Sequence, residues 1–434
     1  MVDLIIHSAA QVVTVAGSGP KRGPAQADLG IIRHGAVAVN GAKILAVGPS
    51  DEILRLAGPD TRQVSAEGGI VLPGFVDAHT HVVFAGDRAN EFELRLTGAS
   101  YVDIMKAGGG IMSTVRATRA SSIEDIVEQS RARLERMLAC GTTTAEVKTG
   151  YGLDTTSERK LLDAISRLSS VQPVDLIPTF IGAHAFPEEY RGREDEYVNL
   201  VVEEMLPALW NESRAAGWAQ GESDFGSPFF CDVFCDEGAF TVEHSRRILS
   251  RAKELGYRLK IHADEFANLG GAALAAELGA TSADHLMTTR RDEMAKMAQA
   301  GTVAVLLPGT TFGLGKFDFA NGRAFVEEGV PVALGTDINP GTSWCESMPL
   351  MMAIATRYER LTPAEAIVAA TLNAAYACGV GEKVGSLEKG KQADILIAGV
   401  PDYRHLAYRY GTNPIRAVFK RGQMVMNNSQ QTEK

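Results

Sequence analysis

Nowhere in the 434 residues do about 18 apolar side chains follow one another, the length a helix needs to cross a bilayer, so no membrane span is expected. Cysteine is scarce as well. Cys140, Cys231, Cys235, Cys345 and Cys378 are an odd number of thiols scattered over a long chain, which excludes a disulfide framework and points to a reduced, cytoplasmic setting. Basic residues are not in excess: 43 Lys and Arg face 53 Asp and Glu, for a net charge of −10. Nucleic acid, which demands a basic surface, is therefore excluded as a partner. The opening Met1-Val2-Asp3-Leu4 carries no basic segment leading into an apolar stretch, so no secretory signal is expected. No internal repeat or low-complexity tract is visible.

What is present is ordinary globular composition, 45% hydrophobic and 22% charged. The length suits one large barrel of roughly 250–330 residues plus a smaller module. Both ends read as short strands: 3–7, 11–15, 36–40 and 44–48 at the front, 394–398, 417–420 and 423–426 at the back. Asn40-Gly41 is a hairpin turn and Arg421-Gly422 a second one. The Gly-, Pro- and Ala-rich segment 17–30 reads as an exposed loop. Between the ends, apolar runs at 176–180, 258–262, 302–307 and 331–336 alternate with helical periods at 122–139, 158–168, 242–255 and 363–377. Such alternation implies a parallel sheet with crossover helices. The expected architecture is an α/β (β/α)8 barrel over 69–383, with 1–68 and 384–434 pairing into one composite β-sandwich.

The strongest local signal is Val71-Leu72-Pro73-Gly74-Phe75-Val76-Asp77-Ala78-His79-Thr80-His81. Residues two apart on a strand share a face, so both imidazoles can reach one metal. The run is expected to open the barrel, whose C-terminal rim carries chemistry in this architecture. Two more strands end alike. Leu259-Lys260-Ile261-His262 delivers a histidine, and Val332-Ala333-Leu334-Gly335-Thr336-Asp337 delivers a carboxylate. Each residue alone is a common hydrogen-bonded structural group; the four together leave room for a water on one divalent metal. Such a metal lowers the pKa of bound water toward about 7 and makes a nucleophile for a carbonyl or amidine carbon. Glu265, three residues past His262, is a candidate proton carrier or hydrogen-bond acceptor. His285 and His184 end further strands and are candidate site residues, His285 as a base.

These motifs resemble the amidohydrolase superfamily, and His262-Ala263-Asp264-Glu265 resembles its mononuclear branch. Further blocks are similar to the imidazolonepropionase family within it: 81–88 and 91–96, Gly108-Gly109-Gly110-Ile111, 146–153 and 337–342. The resemblance runs through the whole chain. It implies ring opening of 4-imidazolone-5-propanoate by water to N-formimidoyl-L-glutamate, a step of histidine degradation. It implies one divalent metal per subunit, zinc or iron, and a homodimer. Arg88 matches the residue that holds the substrate carboxylate, a role its planar donor fork suits. Tyr151, His184, Glu265 and Thr342 match substrate contacts, and Asn339 and Gly341 match product contacts. Tyr101 is a further candidate for the carboxylate pocket. His285 or Asp337 would carry the proton to the departing nitrogen.

Two features read otherwise. Some amidohydrolases bridge two metals with a carboxylated lysine, but the one-metal pattern makes Lys148 either structural or a support behind the metal ligands. Cys231 and Cys235, with Asp232 and Asp236, look superficially like a metal loop, yet Phe229, Phe230, Val233 and Phe234 describe a buried strand.

Overall fold

The computed structural model describes residues 2–98, 108–218 and 227–428. Eight parallel strands lie side by side: β1 (Phe75–Asp77), β2 (Thr142–Lys148), β3 (Asp175–Ala183), β4 (Phe230–Cys235), β5 (Arg258–Ala263), β6 (Ser282–His285), β7 (Val303–Leu306) and β8 (Val332–Leu334). The sheet closes between its first and last strands just beyond their ends. Asp337 N–H donates to His79 O at 3.0 Å, and His81 N–H to Ile338 O at 2.9 Å.

Side-chain alternation sorts each strand. Val147, Val233, Ile261 and Ala283 face outward into the main hydrophobic core. Their neighbours Lys148, Asp232, Lys260 and Asp284 are fully buried polar groups. At the N-terminal end of the barrel, Val76, Ile177, Phe230 and Val303 cluster with Ala374, Ala375 and Ala377 of the helix Leu372–Ala377. That end is sealed with apolar contacts, which leaves the C-terminal rim for chemistry.

The chain ends form two sheets. One, of order Lys43–Pro49, Gly35–Asn40, Leu4–His7, Arg62–Ser65, comes wholly from the front. The other joins three strands from the back to three from the front: Gln423–Asn427, Ile415–Lys420, Ile395–Ala398, then Ile70–Pro73, Gln11–Val13, Ile31–Arg33. Leu4, Ile6, Val37 and Val39 meet Val12, Val71, Ile395 and Phe419 in one core between them.

Three expectations need correction. The apolar run 70–77 is not one strand: Ile70–Pro73 pairs with Ile395–Ala398 and Gln11–Val13 in the terminal sheet, and only Phe75–Asp77 enters the barrel. The change of sheet falls at Gly74, not at 69, because a Cβ there would collide with Thr143. The segment 17–30 is not a free loop. Gln26 is fully buried, where its carbonyl accepts from Val332 N–H at 3.1 Å, and Lys21 pairs through its backbone with Asn373. The start of β8 has peptide groups that no water reaches, and this segment satisfies them. The helix expected over 363–377 is two, Pro363–Ala369 and Leu372–Ala377, broken where Thr371 turns out of helical geometry at φ −132°, ψ −93°.

Candidate metal centre

His79 and His81 follow β1, His262 sits on β5, and Asp337 follows β8, so three parts of the rim converge. His79 Nε2 lies 3.3 Å from His81 Nε2, which lies 3.3 Å from His262 Nε2. Asp337 Oδ1 is 3.4 Å from His79 Nε2 and 3.6 Å from His81 Nε2. Two of the three far nitrogens face carboxylates: His79 Nδ1 is 2.6 Å from Asp284 Oδ2, and His262 Nδ1 is 3.0 Å from Asp232 Oδ2. A carboxylate on Nδ1 keeps the proton there and leaves Nε2 bare. Burial, then the nearby Lys148 charge and the other imidazoles, lowers His79 well below an ordinary histidine; burial, then His184 and His262, does the same to His81. Neutral imidazoles are what a metal requires, and this donor set fits a divalent ion.

His184 and His285 lie close enough to belong to the same histidine group. The His184 ring stacks on His81 at 4.7 Å and 13°, with Nδ1 3.0 Å from Gly150 O. Burial, then the neighbouring His262 ring, pushes it down to about 3. His285 Nε2 is 3.5 Å from Glu265 Oε2. Glu265 is raised well above the carboxylate range by burial, then by the charges of Asp337 and Asp236. Asp337 rises to about 6 through burial, opposed by the Thr310 hydroxyl that donates to it.

The backbone here is under tension. Asp264, His285, Leu286 and Asp337 have φ values of 56°, 79°, 66° and 50°. Each costs on the order of 1–3 kcal/mol, and such residues gather where a site is over-determined. Asp264 is held by Gly271 N–H and the Thr289 hydroxyl.

Behind the histidines lies a charged layer that sequence reasoning did not assemble. Lys148 Nζ donates to Glu146 at 2.7 Å and Asp232 at 2.8 Å, and lies 3.8 Å from Asp284. Burial disfavours its charge, but the three carboxylates outweigh that and raise it above an ordinary lysine. Lys148 is thus an ion-paired ammonium. The signal was available: Glu146-Val147-Lys148 and Ser282-Ala283-Asp284 place polar groups at alternate positions of otherwise apolar strands. Cys231 and Cys235 turn outward into the core while Asp232 turns inward, so they cannot share a metal.

Arg88 immediately precedes the helix Ala89–Leu96 and donates Nε–H to Glu91 at 2.8 Å. It lies against Gly341, where any Cβ would strike the guanidinium. Asn339 shapes that loop: its carbonyl accepts from Gly341 and Thr342 N–H, both at 2.8 Å, and its amide donates to Asp337 O at 2.6 Å. Buried Tyr151 lies beside the histidines, 5.3 Å from the His184 ring and 5.9 Å from His81. Burial, then the Asp337 charge, raises its phenol, and Arg88 opposes this. Tyr101 lies outside the described residues.

The amidohydrolase family model matches residues 70–425. The chain belongs to the amidohydrolase family. Within that family, it is 50% identical over 426 residues to an imidazolonepropionase of Herpetosiphon aurantiacus, covering 98% of each chain. It is 51% identical over 427 residues to one of Chloroflexus aggregans, covering 98% of this chain and 99% of that one. Among solved structures, an adenosine deaminase of Xanthomonas campestris with bound zinc shares the fold, at TM-score 0.70 and 20% identity over 98% and 93% of the chains. As an amidohydrolase with this histidine-rich rim, the chain carries a divalent-metal site.

Proposed function

We propose that this amidohydrolase opens 4-imidazolone-5-propanoate with water, giving N-formimidoyl-L-glutamate. One observation carries the reading: against the loop that follows Asp337 stands an arginine whose terminal nitrogens make no hydrogen bond among the described residues, and buried Tyr151, beside the histidines, feels its charge. That pairing suits a small ring with a carboxylate tail, and half-identity to imidazolonepropionases over nearly the whole chain supports it.

His79, His81, His262 and Asp337 would hold the metal, zinc or iron, since His184 and His285 each face another group, Gly150 O and Glu265. When bound, the metal supplies water acidic enough to attack near neutral pH. Arg88 takes the propanoate end-on through its two terminal nitrogens. Tyr151 and His184 wall the ring and exclude water. Glu265, buried and inclined to keep a proton, hydrogen-bonds a ring nitrogen. Water adds across the carbonyl C–N bond: its oxygen stays on carbon, and its proton moves through His285 or Asp337 to the departing nitrogen. Asn339, Gly341 and Thr342 line the way for the opened product. A cytoplasmic homodimer is part of this reading, and sedimentation tests the dimer. Arg88→Ala tests the substrate: KM should rise about 100-fold with metal content unchanged, on the order expected for a lost charge-assisted pair. An unchanged KM removes Arg88 from the site.

A further inference from the structure

Glu91 stands on the helix turn after Arg88, and its side-chain hydrogen bonds among the described residues are all accepted from donors. Oε2 accepts Arg88 Nε–H at 2.8 Å; Oε1 accepts Gly110 N–H at 3.1 Å and the Ser113 hydroxyl at 2.9 Å. The Arg88 and Glu91 side chains are only 17% and 12% exposed, so this pair is not a loose surface bridge. Gly110 and Ser113 begin the helix Ile111–Ala120, so Glu91 ties Arg88 to a second element. The tie uses the guanidinium edge bearing Nε, so a carboxylate can reach only the end bearing Nη1 and Nη2. On the other side Gly341 lies against the guanidinium, and Arg95 donates to Gly341 O at 3.0 Å. The two arginines and Glu91 together carry one net positive charge, the complement of one carboxylate.

We infer that Glu91 is a positioning residue that sets the specificity of this site for a carboxylate-bearing ring, by fixing Arg88 end-on to the substrate tail. The inference rests on the assignment of Arg88 to the carboxylate. A glutamine at 91 would aim its NH2 either at Arg88 Nε–H or at Gly110 N–H, and a donor facing a donor releases one tie. The loss appears in binding of the tail and not in ring chemistry.

The test measures rates and bound metal for wild type, Glu91→Gln, Arg88→Ala and the double variant. The substrates are 4-imidazolone-5-propanoate and an imidazolone with a methyl group in place of the tail. Glu91→Gln should raise KM for the propanoate about tenfold, with kcat and bound metal unchanged, and leave the methyl compound's kcat/KM as in wild type. Added to Arg88→Ala it should have no further effect. An unchanged KM, an equal loss on both substrates, or an additive effect in the double variant overturns the inference. If Arg88→Ala itself leaves KM unchanged, the carboxylate assignment fails first and Glu91 loses its role with it. Should Glu91→Gln not fold, Glu91→Asp keeps the charge but withdraws it from Arg88. The same KM rise is expected there, and no rise overturns the inference.

Discussion

Lys148 Nζ and Asp232 Oδ2 stand 2.8 Å apart in the closed interior of the barrel, both fully buried. Asp232 faces His262, and Asp284, 3.8 Å from the same ammonium, faces His79. One lysine therefore orders the carboxylates that orient two histidines. Removing one member of a buried ion cluster strands the rest, at a cost of about 3–5 kcal/mol. Lys148→Met should lower the unfolding midpoint and reduce the metal retained after dialysis, read by elemental analysis. Wild-type stability with full metal content would contradict this role.

Glu265 has its carboxyl 3.5 Å from His285 Nε2 and is not among the proposed metal holders. Glu265→Gln keeps the shape and removes the titratable carboxyl group. Turnover should fall about 10- to 100-fold, the range for a lost hydrogen bond of about 1.5–3 kcal/mol to the reacting ring, while bound metal stays stoichiometric. Loss of metal along with rate would place Glu265 in the metal site instead.

Glu158 acts at a distance from the reacting atoms. Its oxygens accept N–H from Gly150 at 3.0 Å, Gly152 at 2.8 Å and Leu153 at 2.9 Å, so it grips the loop that carries Tyr151. Gly150 O in turn meets His184 Nδ1. Glu158→Gln leaves an amide donor facing backbone donors and should cost about 1–3 kcal/mol of stability. It should also lower kcat/KM for the propanoate, and unchanged kinetics would show that the loop holds without it.

Glu359 supplies a pH test away from the site. Burial alone pushes it up to about 8, and its Oε2 has no partner among the described residues. The folded pKa lies above the unfolded one, so its contribution to stability is fully present below about 4.5 and is lost as pH rises through 8. Glu359→Gln should raise Tm by roughly 2–4 °C more at pH 9 than at pH 4. An equal effect at both pH values would mean that Glu359 does not titrate in the fold.

The alternation of apolar runs with helical periods made the barrel legible, because each crossover unit must repeat both patterns. That His79, His81, His262 and Asp337 converge at the rim was legible because each lies at or just beyond a strand end. The layer behind them was not assembled, since Lys148, Asp232 and Asp284 lie on three strands and pair only after the barrel closes. Gly74 hid the change of sheet within one apolar run: nothing in Pro73-Gly74-Phe75 says that Thr143 will stand where a Cβ would be. Gln26 was hidden for a similar reason, as its partner Val332 is remote in sequence and the composition around it is that of a loop.

The most direct measurement follows imidazolonepropanoate by its ultraviolet absorbance in the presence of metal-replete protein, with products identified by mass spectrometry. The account predicts metal-dependent loss of the substrate, one equivalent of N-formimidoyl-L-glutamate and no ammonia. No turnover, or ammonia released in step with substrate loss, would contradict it.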